Sequence, residues 1–172
     1  FHVNTAFHYT YGRGFYEEYR EDESLSDYQL DAVIVGNDTI SSTDLVRQKW
    51  LDNDFYGVTL SLQFKPSKKI TIIGGGAWNQ YDGDHYGIVT WAQFASNGSN
   101  SPHYYENNGL KTDFNIFARA TYTLGEKLDL YGDFQYRRVD YLFTGNDDDG
   151  TPLPQADHLD FFNPKAGFTY TI

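Results

Sequence analysis

The chain lacks cysteine, long apolar segments and an excess of basic residues. None of its 172 residues is Cys, so disulfide bridges and thiolate metal sites are excluded. No apolar run approaches the roughly 20 residues that a membrane-spanning helix requires. The formal net charge is -11, with 13 Lys and Arg against 24 Asp and Glu. Because binding to phosphates needs clustered basic residues, this balance argues against a nucleic-acid partner.

Strict alternation of apolar and polar side chains is the clearest pattern that is present. Between residues 113 and 138 it continues on both sides of a turn at residues 125–127. The apolar members are Phe114, Ile116, Ala118, Ala120, Tyr122, Leu124, Leu128, Leu130, Gly132, Phe134 and Tyr136. Successive strand side chains point to opposite faces, so this pattern predicts two antiparallel strands of a two-faced sheet. Each run has about ten residues, which matches the nine to eleven of a tilted membrane-spanning strand.

The same alternation recurs along the chain and predicts an all-β fold, an antiparallel meander of six long strands. The predicted strands are residues 1–16, 50–64, 69–81, 111–124, 128–141 and 160–172. Tight turns are predicted at residues 65–68 and 125–127, and long loops at residues 17–49, 82–110 and 142–159. Short turns at one end and long loops at the other are typical of an outer-membrane barrel. We therefore expect residues 1–172 to be a partial transmembrane β-barrel domain, a segment of a larger barrel.

Composition and local motifs add detail to this expectation. The mean hydropathy of -0.60 and the aromatic content of 18% suit a barrel whose strands face lipid on one side and water on the other. The apolar residues 32–35, followed by Gly36 and Asn37, predict a small hairpin within the first long loop. Residues 74–76 are all glycine, which indicates a bend or close packing within a strand. Hydration and ion pairing are expected for the charged residues of the polar face, namely Asp113, Arg119, Asp129, Asp133, Arg137 and Lys165.

Three segments carry a resemblance to a known family. They are residues 128–137, LDLYGDFQYR; residues 161–167, FFNPKAG; and residues 44–57, DLVRQKWLDNDFYG. With these segments the chain resembles the TonB-dependent outer-membrane receptors, whose plugged barrel has about 22 strands. The resemblance covers six strands and lacks the plug domain. It implies location in the outer membrane of a Gram-negative bacterium and TonB-energised uptake of a scarce nutrient, such as a ferric siderophore, haem, cobalamin or a glycan. The implied partners are outer-membrane lipid, the rest of the barrel and its plug, TonB through the plug, and the small-molecule nutrient.

Aromatic residues of the second long loop are the candidate ligand contacts. They are Tyr86, Trp91, Tyr104 and Tyr105, which would stack on a sugar ring or a flat macrocycle, or would instead pack the loop into a folded cap. Two acidic groups have a possible metal-binding interpretation: residues 147–149, and the set of Asp82, Asp84 and His85. For both groups we expect ordinary solvated loops, and we predict no metal, no cofactor and no catalytic residue.

Two other functions remain compatible with the sequence. A soluble β-sandwich or small β-barrel that binds carbohydrate gives similar alternation, because one sheet face is then buried under a second sheet. An outer-membrane enzyme would instead require convergent ionisable residues near the loops. Strand length and the difference between short turns and long loops favour the receptor over both.

Overall fold

Six long strands form one antiparallel sheet in the computed structural model, which describes residues 1–95 and 103–172. The strands are, in chain order, β1 (His2–Ser24), β2 (Val33–Val35), β3 (Asp38–Ile40), β4 (Ser42–Ser67), β5 (Ile70–Ala92), β6 (Tyr105–Leu124), β7 (Leu128–Gly145) and β8 (Gln155–Tyr170). The large sheet has the order β1-β4-β5-β6-β7-β8, so each long strand pairs with the next long strand of the chain. The predicted all-β class and antiparallel meander of six strands are confirmed.

The connection between β1 and β4 has structure of its own. It contains a 3-10 helix, Leu25–Tyr28, followed by the two-stranded hairpin of β2 and β3. Val35 pairs with Asp38 across Gly36 and Asn37, which confirms the hairpin predicted there. No helix among the described residues is long and apolar enough to cross a membrane.

The two faces of the large sheet differ as the alternation predicted. Directly opposed residues of antiparallel strands share a face. The register accordingly places on one side Leu60, Leu62, Ile116, Ala118, Leu130 and Phe134. It places on the other side Thr59, Ser61, Asn115, Arg119, Asp133 and Gln135. We call these sides the apolar face and the polar face.

Ion pairs cross between strands on the polar face. Arg119 on β6 contacts the directly opposed Asp133 on β7, with Nε 2.9 Å from Oδ2. Arg137 on β7 reaches back to Asp113 on β6, with Nε 3.0 Å from Oδ2. Both arginine side chains are about half exposed, so these pairs add little to stability and mainly satisfy charge beside water. The ion pairing predicted for this face is confirmed at these four residues.

The strands are longer and the loops shorter than the alternation predicted. The first loop, predicted at 17–49, covers residues 25–41, and the third, predicted at 142–159, covers 146–154. Around the second, predicted at 82–110, β5 continues to Ala92 and β6 begins at Tyr105. In the added segments the backbone pairing continues, for example between Glu18 and Arg47, while polar and apolar side chains occur on both faces, as with Leu45 and Val46 of β4. Alternation is lost wherever neither face is uniformly apolar, so a sequence pattern locates only the part of a strand that has one apolar face.

The turn predicted at residues 65–68 lies at residues 68–69, because β4 continues through Pro66 to Ser67. Proline removes a backbone donor and is tolerated at irregular or edge positions of a sheet. The register with β5 shifts between Phe64 and Ser67, so Pro66 lies in an irregularity of that ladder. On the other side β1 begins opposite Gln63, so Pro66 has no partner there that would need its missing N–H. The turn predicted at residues 125–127 lies where expected, between β6 and β7.

The three consecutive glycines of β5 are a site of close packing. Gly75 faces the polar side, where a Cβ atom would lie 3.0 Å from the ring of Phe117 and closer still to the carbonyl oxygen of Leu60. The pairing of Gly74 and Gly76 with β4 and β6 continues without a register shift. Of the two expectations for this motif, close packing is therefore the one observed.

Candidate functional site

The long-loop end of the polar face contains most of the deeply buried side chains. Tyr28, Leu45, Tyr104 and Tyr105 pack together, with exposed fractions of 3%, 0%, 6% and 9%. Ring centroids are 4.8 Å apart for Tyr28 and Tyr104, and 5.1 Å apart for Tyr104 and Tyr105. We call these four residues the tyrosine cluster. It joins the connection after β1, the strand β4 and the start of β6 into one packed unit.

Hydrogen bonds hold the first connection together and join it to Tyr104. The backbone N–H of Leu25 donates to the carbonyl oxygen of Ser41, and that of Leu30 donates to Leu25, each at 2.9 Å. Gln29 ends the 3-10 helix in the left-handed region with a φ of 56°. Its side-chain amide donates to the carbonyl oxygen of Tyr104 at 2.8 Å. The first connection is thereby tied to the second.

Arg47 of β4 links the sheet to this connection. Its Nε and Nη2 donate to Oε2 of Glu18 at 3.0 and 2.8 Å, and its Nη1 donates to the hydroxyl of Tyr28 at 3.0 Å. The Tyr28 hydroxyl in turn donates to Oε2 of Glu23 at 2.7 Å, and Arg20 donates to the other oxygen of Glu23 at 2.8 Å. The Arg47 side chain at the centre of these contacts is only 14% exposed, whereas Glu18 and Arg20 at their ends are 38% and 47% exposed. Such networks fix side-chain positions when each member is satisfied.

Burial raises the pKa of all three tyrosines of the cluster, Tyr105 included. Burial, with a contribution from the hydrogen bond to Glu23, raises the pKa of Tyr28 to about 12. Burial also raises the pKa of Tyr104 well above its ordinary value. Both phenols therefore remain protonated at physiological pH and keep their capacity to donate a hydrogen bond. The Tyr104 hydroxyl has no hydrogen-bond partner among the described residues.

The connection between β7 and β8 lies beside the tyrosine cluster and is folded into a turn. The backbone N–H of Gly150 donates to the carbonyl oxygen of Asp147 at 2.9 Å, which closes a turn. Asp148 of this turn forms an ion pair with Lys49 of β4. The Lys49 ammonium also lies over the Tyr105 ring, 5.7 Å from its centroid. The acidic run is thus part of a folded turn whose central carboxylate already has a cation as its partner.

A polar cavity of about 430 Å³ lies between these two connections and the sheet. Its lining comprises Glu23, Ser26, Asp27, Tyr28, Gln29, Arg47, Tyr104, Asp148, Asp149 and Gly150. Carboxylate, hydroxyl, amide and aromatic groups from three separate parts of the chain converge here. We refer to it as the loop-end cavity. Ligand sites in proteins typically have volumes of about 300–1,000 Å³ and a few convergent polar groups, and this cavity meets both conditions.

The four predicted ligand contacts do not form one group. Tyr104 and Tyr105 lie in the tyrosine cluster, where they pack as the folded cap described above. Tyr86 and Trp91 lie on the opposite side of the sheet, because Tyr86 is in register with Trp50 and Trp91 with Val46. A ligand role for any of the four stays a prediction. The geometry separates them into a buried pair and an exposed pair.

The exposed pair has neighbours of its own. The hydroxyl of Tyr86 accepts a hydrogen bond from Arg13 at 2.9 Å, and its ring stacks on His103 with centroids 4.1 Å apart. Trp91 is 49% exposed. Tyr86 is therefore held by neighbouring side chains, whereas much of the Trp91 side chain remains open to solvent.

Several residues of the cavity were not found from the sequence. Tyr28 and Arg47 both lie within a segment predicted to be a loop, and they meet only because β1 and β4 extend beyond their apolar segments. The sequence does contain one signal of close packing at this site, namely Gly87. It pairs with Tyr105, and a Cβ atom at Gly87 would lie within 2.5 Å of the Tyr105 ring and closer to that of Tyr104. A glycine opposite consecutive aromatic residues indicates a place where rings lie flat on the backbone.

Gly87→Ala is expected to displace both rings of the cluster. The methyl group occupies space filled by Tyr104 and Tyr105, and overpacking of this kind typically costs about 1–3 kcal/mol. We expect faster protease cleavage within residues 25–41, since Gln29 is bonded to Tyr104. Limited proteolysis of the intact protein, followed by mass spectrometry, measures this.

Gly12→Ala is the matched control for that substitution. Gly12 is also a strand glycine, and a Cβ atom built there meets no atom within 4 Å. Cleavage within residues 25–41 should therefore match that of the unmodified protein. Equal cleavage rates for the Gly87 and Gly12 variants would contradict the tight packing assigned to Gly87.

No metal site is apparent in the part of the chain that the structure describes, where no three His, Asp or Glu side chains are grouped for coordination. Asp82 and Asp84 both accept hydrogen bonds from the side-chain amide of Asn108, at 2.6 and 2.8 Å. His85 follows Asp84 on the strand and so points to the other face of the sheet. These three residues therefore do not converge on one point.

Comparison with known proteins does not identify a related protein. No protein-family model, curated protein or solved structure matches the chain. The function is therefore inferred from the faces of the sheet and from the loop-end cavity.

Proposed function

We propose that the chain is a segment of an outer-membrane β-barrel receptor that takes up a scarce nutrient. The observation that carries this proposal is a continuous apolar band on one face of a six-stranded sheet. Even on inner strands its side chains are open to the surroundings, with Leu60 49% and Ile116 41% exposed. Exposed apolar surfaces of this extent mark an interaction site, and lipid is the partner that suits a band crossing every strand.

The height of the band supports this interpretation. On β4 it extends from Tyr56 to Phe64 and alternates without interruption. At about 3.3 Å per residue and a tilt of about 40°, these nine or so residues span about 23 Å, close to the roughly 25 Å apolar band of membrane barrels. Beyond Tyr56, the same face of β4 carries Asp54 and Asp52. The uninterrupted apolar alternation therefore ends at Tyr56 while the strand continues, with Trp50 as the next aromatic residue of that face.

Aromatic residues border the band, and both borders shift in the same direction across the sheet. At the long-loop end the border is Tyr9 on β1 and Phe162 on β8. Phe162 is in register, strand by strand, with Tyr136, Ile116, Gly76, Leu60 and Thr5. Thr5 precedes Tyr9 by four residues (9 minus 5), so the border moves four residues toward the turn end between β1 and β8.

The other border moves in parallel. At the turn end it is Phe64 on β4, which is in register with Ile72, Ala120, Gly132 and Ala166. On β8 the border is Tyr170, four residues beyond Ala166 (170 minus 166). A shift of about 13 Å over strands about 4.8 Å apart corresponds to a strand tilt of about 30–35°, near the 35–45° of membrane barrels. A tilted strand crossing a flat layer of lipid accounts for this parallel shift.

The uptake part of the proposal comes from the resemblance to TonB-dependent receptors. It implies that TonB energises transport through a plug domain and that the remaining strands complete the barrel. The loop-end cavity would then lie outside the membrane, where it would meet the nutrient first. A rigid strand scaffold that positions loops for binding is consistent with this arrangement.

Single cysteine substitutions test the lipid-facing assignment, since this chain contains no Cys that would react in their place. The full-length protein is labelled with a nitroxide at the new cysteine while unfolded and is then refolded into lipid vesicles. The label at Leu60→Cys should be accessible to molecular oxygen and not to a water-soluble nickel chelate. The label at Thr59→Cys, the adjacent residue on the polar face, should be accessible to the nickel chelate. A soluble β-sandwich gives a different result, because the label at Leu60→Cys would then be buried and protected from both relaxation agents. Accessibility of the Leu60→Cys label to the nickel chelate would refute the proposal.

A further inference from the structure

We propose that the turn end of the sheet binds anionic phospholipid headgroups through four lysines that border the apolar band. These residues, which we call the lysine rim, are Lys65, Lys68, Lys69 and Lys127. The inference rests on the proposed function, because it takes the apolar band to face lipid. It adds the chemical class of the lipid that lies at one border of the band.

The lysine rim lies directly against the turn-end border of the band. Lys65 follows Phe64, the border residue of β4, and Lys69 precedes Ile70, the first residue of β5. One residue of extended chain covers about 3.3 Å, and the headgroup region extends roughly 5–8 Å beyond the hydrocarbon on each side of a bilayer. Both ammonium groups can therefore reach the depth of the lipid phosphates.

The second turn places its lysine in the same way. Lys127 precedes the residue of β7 that is in register with Tyr170, the border residue of β8. The backbone N–H of Thr171 donates to the carbonyl oxygen of Lys127, and that of Thr123 donates to Lys69, each at 2.8 Å. Each turn is thereby bonded to a neighbouring strand, so the lysines extend from backbone that the sheet holds in place.

The positive charge of the rim is not compensated within the described part of the chain. All four lysines are exposed, and none of them forms an ion pair with a described residue. Residues 65–69 and 125–127 contain four lysines against one carboxylate, that of Glu126, a net charge of +3. The nearby Asp129 accepts a hydrogen bond from the Thr123 hydroxyl at 2.6 Å. An ammonium group only donates hydrogen bonds, so phosphate oxygens are suitable partners for the rim.

The opposite border of the band has charge of the other sign. Beyond that border the register places on the apolar face the carboxylates of Asp52, Asp54, Asp82, Asp84, Asp140 and Asp160. Arg13 and Arg138 lie on the same face, where they pair with Asp52 and Asp140. Anionic headgroups are therefore attracted at the turn end and repelled at the long-loop end.

Continuity with the apolar band favours lipid over an acidic protein as the partner. No residue separates Phe64 from Lys65, so a phospholipid whose acyl chains lie against Phe64 has its phosphate beside the lysine. Lysine side chains near the end of an apolar surface place their stems on that surface and their charge in the headgroup layer. One lipid molecule thus satisfies the apolar band and the rim together.

Lipids that carry a nitroxide on an acyl chain measure which headgroup lies beside the rim. The full-length receptor is labelled with a fluorophore at Phe64→Cys while unfolded and is refolded into vesicles of phosphatidylcholine that contain phosphatidylglycerol. The nitroxide is placed on one lipid or the other, so the two extents of quenching give the local ratio of the lipids. Phosphatidylglycerol should be enriched about fivefold over its bulk ratio, the factor expected for one lysine near an anionic surface. Salt at about 1 M, which shortens the screening length to about 3 Å, should abolish the enrichment.

A label at Tyr56→Cys is the matched control for position, because Tyr56 is the border residue at the other end of the same strand. It is followed on that face by Asp54 and Asp52, so phosphatidylglycerol should not be enriched there. The comparison keeps the protein, the vesicles and the strand unchanged.

Lys65→Gln combined with Lys69→Gln should return the lipid ratio beside Phe64 to its bulk value. Lys111→Gln combined with Lys165→Gln removes the same charge from the polar face and should leave the enrichment unchanged. Quenching at the bulk ratio in the unmodified receptor, as an acidic protein partner would give, or enrichment that survives Lys65→Gln and Lys69→Gln would overturn the lysine rim alone. Quenching by neither lipid would overturn the lipid-facing assignment as well, so the two failures are distinguishable.

Discussion

Leu60→Arg is expected to prevent assembly of the full-length receptor in lipid vesicles. Leu60 lies midway along the apolar band of β4, between Tyr56 and Phe64, and is in register with Gly76 on β5. A cation that faces lipid near the bilayer midplane costs about 2–4 kcal/mol, which corresponds to a decrease of about 30- to 700-fold in the folding equilibrium. The folded fraction is measured by the mobility shift between heated and unheated samples in gel electrophoresis.

Thr59→Arg is the control, since it introduces the same side chain one residue earlier and on the polar face. Thr59 is exposed and is flanked by Ala6 and Ala77, so the guanidinium has room and reaches water. Its folding yield should be close to that of the unmodified protein. Leu130→Arg should have an intermediate effect, because Leu130 lies near the start of β7 and the cost falls toward the interface. Equal yields for Leu60→Arg and Thr59→Arg would contradict the assignment of the two faces to lipid and water.

The fold was predictable wherever one face is apolar. Ile116, Ala118, Leu130 and Phe134 alternate with polar neighbours, and this period of two predicted the strands and their faces, while the tight turns predicted the meander order. A slip of one residue would have moved every apolar side chain to the wrong face, so this part of the register is strongly specified. Beyond the band, as around Glu18 and Arg47, neither face is uniformly apolar. Alternation carries no information there, and those segments were wrongly predicted to be loops.

The candidate site was less predictable because it depends on register beyond the band. Tyr104 and Tyr105 were identified as either ligand contacts or a folded cap. Their partners Tyr28 and Arg47 could not be named without knowing that β1 and β4 stay paired to their ends. Long-range contacts of this kind follow from the pairing of strands far apart in sequence, which local patterns do not report.

Arg47→Met is expected to release residues 25–41 from the sheet. Methionine keeps the apolar stem of the side chain but removes three hydrogen bonds, two to Glu18 and one to Tyr28. Hydrogen bonds to charged groups contribute about 1.5–3 kcal/mol, and the lower end applies because Glu18 is 38% exposed. The free energy of local opening should fall by about this amount, so exchange of the Leu25 and Leu30 amides should accelerate about tenfold or more.

Hydrogen exchange of the full-length receptor, read by mass spectrometry on peptides from residues 25–41, measures this effect. Arg138→Met is the matched control, because Arg138 pairs with Asp140 where both side chains are nearly half exposed, at 47% and 44%. Exposed pairs contribute little, and Arg138 lies on β7, remote from this connection. Exchange within residues 25–41 should therefore be unchanged in that variant. Slow exchange of Leu25 and Leu30 in Arg47→Met would mean that the tyrosine cluster alone holds the connection, and Gly87→Ala would then be the substitution that opens the loop-end cavity.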